Sequence, residues 1–182
     1  MKESMEYILS LIFGGMAFTM LINFQIGVSN TASEQIFESS VQGDLNTATS
    51  ILAYDFQKIG YGSTDSVKVT QADTSTISFK SDIDANGTVE TVKYYLGGTV
   101  PGSMNPNSRM LYRQINGGTP NAIAGGVSKF RLSYYNSAGS PTSILSQVRS
   151  VYVALTVESN YGTDSTYPAV CWERTIKPRN LR

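Results

Sequence analysis

Residues Tyr7 to Val28, YILSLIFGGMAFTMLINFQIGV, run 22 positions without a formal charge. As a helix rising ~1.5 Å per residue, this stretch is roughly 33 Å long and matches the hydrocarbon core of a bilayer. A secretory signal core is shorter, about 7–15 residues, and comes after a positive n-region. The flank here, MKESME, sets one Lys against two Glu. Ala32 and Ser33 supply small residues where a cleavage could fall, but the length favours a retained helix. The same flank gives little positive-inside bias. The N-terminus is nevertheless expected on the cytoplasmic side of a membrane, since no second span brings the rest back. A helix of this kind either tethers the remaining chain to a membrane or is buried among copies of itself.

Beyond Val28 the apolar residues Phe37, Val41, Leu45, Ala48, Leu52, Phe56 and Ile59 recur in steps of three or four. That spacing places them on one helical face. Thr31-Ala32-Ser33-Glu34 has the form of a capping box, which marks a point where the helix could break or restart. Gly60 and Gly62 are stop signals. A helix from Glu3 to Ile59 would be ~85 Å long, apolar all round in its first half and amphipathic in its second. The expected division is 1–30 for an apolar transmembrane or filament-core helix, 31–62 for an amphipathic helix packing on a head, and 63–182 for a β-rich globular head.

From Val67 the period changes to two. Ile77 and Phe79 alternate with polar residues, as do Val92, Tyr94 and Leu96. Asn86-Gly87 between these runs is a hairpin signal. Gly97 to Ser108 and Asn116 to Gly126 read as loops on either side of a short strand, Met110 to Arg113. Phe130, Leu132 and Tyr134 then alternate, as do Val151, Val153, Leu155 and Val157 further on. Val170, Trp172 and Ile176 mark a last strand, interrupted by Arg174. Strands do not alternate with helices, so the head is expected to be antiparallel and the fold α+β, with a long N-terminal helix packed on the sheet.

Fourteen basic residues balance fourteen acidic ones, and charged residues make up 15% of the chain. No global field draws in nucleic acid, and no specific nucleic-acid partner is expected. The chain contains no His, which removes His-based acid–base catalysis and His metal ligands. No glycine-rich loop links a strand to the opening of a helix. Neither a cofactor nor an enzymatic activity is expected. Cys171 is the sole cysteine, so no intramolecular disulfide can form, and its place on a strand beside Trp172 suggests a buried or half-buried thiol.

Two weaker constellations remain. Asp82, Asp84, Asn86 and Gly87 imitate the start of a calcium loop, but position twelve is Lys93 and no helices flank the segment, so a plain turn is favoured. Asn86-Gly87-Thr88 is also a glycosylation sequon. Arg174, Lys177, Arg179 and Arg182 form a basic tail, read as the solvated end of the last strand, with contact to DNA or an anionic surface as the alternative.

The chain resembles the type IV pilins and the pilin-like subunits of type II secretion, closest to the larger minor-pilin or J-type pseudopilin branch. The resemblance is carried by three features: the apolar helix running into an amphipathic one; ILAYDFQKIGYG (Ile51 to Gly62) at the helix end; and the order of the blocks ISFKSDIDANGTVETVKYYL, MLYRQ, VSKFRLSYYNSAG, VRSVYVALTVES and the closing KPRNL. It implies a structural subunit of an extracellular filament, held in the inner membrane before assembly and polymerising with itself or with other pilin-like subunits. It also implies a short basic leader, cut before an apolar first residue, and a Glu at the fifth mature position. Glu6 takes that position only if the mature chain begins at Lys2. Glu6 or Glu3 is then expected to set the axial register by pairing with a neighbour's terminal amine, at Met1 if that is the mature first residue. The resemblance further implies loss of helical hydrogen bonding near Gly14-Gly15 in a filament, while close helix packing in a membrane explains the same pair. Adhesion, motility, DNA uptake and secretion share this architecture. The alternative to a filament is a membrane-anchored exported β-domain that binds a ligand without polymerising.

Overall fold

The computed structural model describes residues 2–162 and 166–181, with side chains from residue 6 onward. Two compact units divide the chain, Met1–Phe37 and Glu38–Arg182.

The first element is α1, Lys2–Gln57. No Pro precedes Pro101, so the backbone ladder is nowhere interrupted by a missing N–H. The helix continues past Val28 as expected and neither breaks nor restarts at Thr31. Thr31 and Ser33 donate their hydroxyls to the carbonyls of Gly27 and Ser29, at 3.0 and 2.9 Å. A hydroxyl bonded four residues back belongs to a continuing helix, whereas a cap requires extended backbone at that position.

In the second unit, Val41, Leu45, Ala48, Leu52 and Phe56 of α1, with Ile59 just beyond it, are all buried. They form one core with residues of a seven-stranded sheet. The strands are β1 (Val69–Ala72), β2 (Thr76–Ser81), β3 (Glu90–Thr99), β4 (Arg109–Ile115), β5 (Asn121–Tyr135), β6 (Ser150–Glu158) and β7 (Ala169–Ile176). Each pairs antiparallel with the next, so spatial order equals chain order. Alternation sends Ile77 and Phe79, Val92 and Tyr94, Phe130 and Leu132, and Val151, Val153 and Leu155 to the core. Phe56 meets Phe79 and Tyr94 edge-on, with centroids 5.8 and 5.5 Å apart. The fold is therefore α+β, as the periodicities indicate.

The helix end is stitched to β2. Gly60 N–H donates to Lys80 O and Asp82 N–H to Tyr61 O, both at 2.8 Å. Gly62 has φ +70°, and a Cβ there would lie 2.8 Å from that of Asp82. Only glycine satisfies both the left-handed backbone and the close approach.

The hairpin signalled at Asn86-Gly87 forms, since β2 pairs antiparallel with β3. Residues 82–89 close it as a longer loop in which positive φ falls on Ala85 and Gly87. Two other local readings need correction. The tight turn is Asn116-Gly117, with φ of 51° and 70° and Gly118 N–H bonded to Ile115 O at 2.9 Å. Chain beyond that turn, expected to be loop as far as Gly126, enters β5 at Asn121. Gly126 sits in this strand at φ +73°, beside a break in the register between β4 and β5. Cys171 is exposed. It faces away from the side on which Val170 and Trp172 pack against the core, since neighbouring strand residues point to opposite faces.

Candidate functional site

Most of the exposed large apolar residues of the first unit lie in one run, from Tyr7 to Val28. Tyr7, Leu11 and Phe24 are 74%, 77% and 71% exposed. The helix is long and apolar enough to cross a membrane, and none of its most apolar window is buried within the chain. Its hydroxyls suit an apolar medium. Ser10 donates to Glu6 O at 2.8 Å and Thr19 to Met16 O at 2.9 Å, so each spends its proton on its own backbone. Gly14 and Gly15 lie inside the regular helix, and a Cβ on either would meet nothing within 4 Å. No neighbour within the chain requires them to be glycine. Glu6 is exposed near the start of the same helix. Met1 and the side chain of Glu3 lie outside the described residues.

The second unit fixes the end of α1 through an ion pair that the periodicity conceals. Asp55 falls on the apolar face, three residues after Leu52 and four before Ile59, and is buried. Its Oδ2 accepts from Tyr94 Oη at 2.5 Å and from Arg113 Nε at 2.6 Å. Tyr94 and Arg113 are cross-strand partners on β3 and β4, so one carboxylate clamps the helix to two strands. A charged residue at a core step of the stripe is the sequence signal for this site. Its partners lie too far along the chain to be read from spacing.

Burial, and then the Asp55 charge, push the Tyr94 phenol well above its ordinary pKa. Burial and then Asp73 do the same to Tyr134, whose hydroxyl donates to Asp73 O at 2.8 Å. Burial opposes the Arg113 charge, but its interactions with Asp55 and Tyr94 together outweigh this and raise its pKa. A phenol raised in the folded state contributes stability that is present in full below about pH 10 and is lost as the unfolded chain ionises above it. Urea midpoints are therefore expected to fall between pH 9 and pH 11, and to fall less in Tyr94→Phe. An equal fall in both proteins would show that Tyr94 is not a source of the pH dependence.

The acidic loop is brought together, with Glu90 in the place expected of Asn86. Oxygens of Asp82, Asp84 and Glu90 lie within 4.8 Å of one another. They are engaged in closing the loop: Asp82 accepts from the N–H groups of Asn86 and Gly87, Asp84 from Asn86 N–H, and Glu90 from Ile83 N–H. The Asn86 side chain donates to Asp84 at 2.8 Å and accepts from Thr88 N–H at 2.7 Å. These are turn-forming bonds typical of Asx residues.

Of the basic tail, Arg174, Lys177 and Arg179 are exposed around a cavity of about 750 Å³ beside the end of α1. Arg182 lies outside the described residues. Comparison with protein-family models, with curated proteins and with solved structures finds no match.

Proposed function

We propose that the chain is a structural, non-catalytic subunit of a type IV pilus-like extracellular filament. In this reading, residues 7–28 hold it in the inner membrane before assembly and then pack against the same helix of other copies or of related subunits. One observation carries the reading: the charge-free stretch 7–28 of α1 exposes its apolar side chains, while one face of the later turns of α1 is buried in a β-sheet domain. Burying on the order of 1,000 Å² of such surface is worth ~25 kcal/mol relative to water, before the cost of association. Gly14 and Gly15 each cost roughly 1 kcal/mol in a helix relative to Ala. Close approach of a neighbouring backbone offsets that cost.

Shearing cells and pelleting the released fibres tests the reading, with the chain expected in the pellet. Recovery only from detergent-solubilised membrane would identify a tethered β-domain instead. Glu6 is assigned the register, its carboxylate meeting a neighbour's terminal amine inside the apolar bundle. Glu6→Ala is expected to cut filament yield at least tenfold, because an unpaired buried charge costs about 3–5 kcal/mol. Unchanged yield would reject this role for Glu6 and leave the filament standing.

A further inference from the structure

The last nine residues contain four cations and no acid: Arg174, Lys177, Arg179 and Arg182. Arg174 shares its strand face with Trp172 and Ile176, by the alternation of β7. With Lys177, Arg179, Tyr54, Lys58 and Tyr61 it lines the cavity of about 750 Å³. Lys58 is held in place there. Its Nζ donates to Ile83 O at 2.6 Å and stands 4.7 Å from the Tyr54 ring centre and 5.6 Å from that of Tyr61. The ion pairs found among the described residues are Lys80–Asp65 and Arg113–Asp55, so Arg174, Lys177 and Arg179 have no acidic partner among those residues. No carboxylate among the described residues lines the cavity. Four cations around one concavity, Lys58 among them, favour an anionic occupant.

Helix α1 has the opposite sign. After Lys2 all of its charged residues are acidic: Glu3, Glu6, Glu34, Glu38, Asp44 and Asp55. Asp55 is taken by Arg113. Glu34 and Glu38 are exposed and stand four residues apart, where like charges on a helix repel. Neither lines the basic cavity. Along α1, Glu38 is ~24 Å from Tyr54 at 1.5 Å per residue. A second copy of the chain supplies acids of the complementary sign.

We infer that the basic cavity of one copy receives the Glu34/Glu38 segment of α1 from a second copy. This rests on the filament reading, in which copies lie parallel and axially offset. An offset of roughly 25 Å or more brings the acidic turn of one copy level with the cations of the next.

The test is charge reversal in the full-length chain, read as the subunit concentration at which filaments form. Arg174→Glu/Lys177→Glu/Arg179→Glu and Glu34→Lys/Glu38→Lys are each expected to raise it roughly tenfold, the scale of a few exposed ion pairs lost together. Combining the two sets in one chain restores pairing, so filament formation returns towards wild type. Near-ultraviolet circular dichroism of Trp172 checks that the variants are folded. Wild-type concentration in the basic reversal, or no rescue in the combined chain, overturns the inference while the filament reading stands. So does loss of oligonucleotide binding with assembly intact, which would assign the cavity to nucleic acid. A wild-type chain that forms no filaments removes the underlying reading itself.

Discussion

Asp55→Ala is expected to lower the stability of the β-sheet unit by about 3 kcal/mol or more, the scale for breaking a buried ion pair by removing one partner. The substitution leaves the Arg113 guanidinium, only 19% exposed, facing a vacated site, and leaves the fully buried Tyr94 hydroxyl without its acceptor. It also releases the point where the helix meets β3 and β4 in one place. Urea denaturation followed by tryptophan fluorescence measures the change. Arg113→Met should be costly for the reciprocal reason, since it strands the carboxylate. The double variant should be less destabilised than the sum of the two, because it buries neither charge alone. Strict additivity would mean that Asp55 and Arg113 act independently despite their contact.

The second large effect concerns the apolar helix. A chain starting at Ser29 is expected to remain in solution without detergent and to sediment as a monomer, whereas the full-length chain requires detergent, a membrane or self-assembly. None of the buried core residues precedes Val41, so the deletion removes no part of the core of the sheet unit. Its thermal midpoint should move by no more than a few degrees, which corresponds to about 1 kcal/mol or less for a domain of this size. The deletion meanwhile removes apolar exposure worth on the order of 20 kcal/mol, so the two outcomes are well separated. Sedimentation velocity and a thermal melt are sufficient. Aggregation of the shortened chain would show that residues before Ser29 complete the head.

Both effects trace back to how locally each feature is written. The stretch from Tyr7 to Val28 needs only composition to be recognised, and the stripe from Val41 to Ile59 needs only a period, so both are legible in the sequence. The alternation in β2, β3, β5 and β6 is legible for the same reason. Asp55 is visible as a charge on an apolar face, but its partners Tyr94 and Arg113 are 39 and 58 residues away. Nothing local encodes that distance. Glu90 is hidden because it opens β3, outside the loop pattern formed by Asp82 and Asp84. The stretch from Asn116 to Gly126 imitates a loop because its Gly, Asn and Pro content suits one. Only its first residues form the turn, and Gly126 serves a strand. At Thr31 the pattern of a cap is present, but the hydroxyl bonds backward to Gly27 O and the helix runs through.

The sheet's order has a consequence for how the molecule comes together. Because every strand lies beside the one made just before it, pairing can proceed hairpin by hairpin as the chain lengthens. Chain entropy lost in closing each loop stays small, a condition that favours fast folding. The template is ready first, since the turns of α1 from Val41 to Phe56 precede all seven strands and present a greasy surface on which each new hairpin can settle. The molecule is built to be completed from its amino end towards its carboxyl end, with β7 closing last.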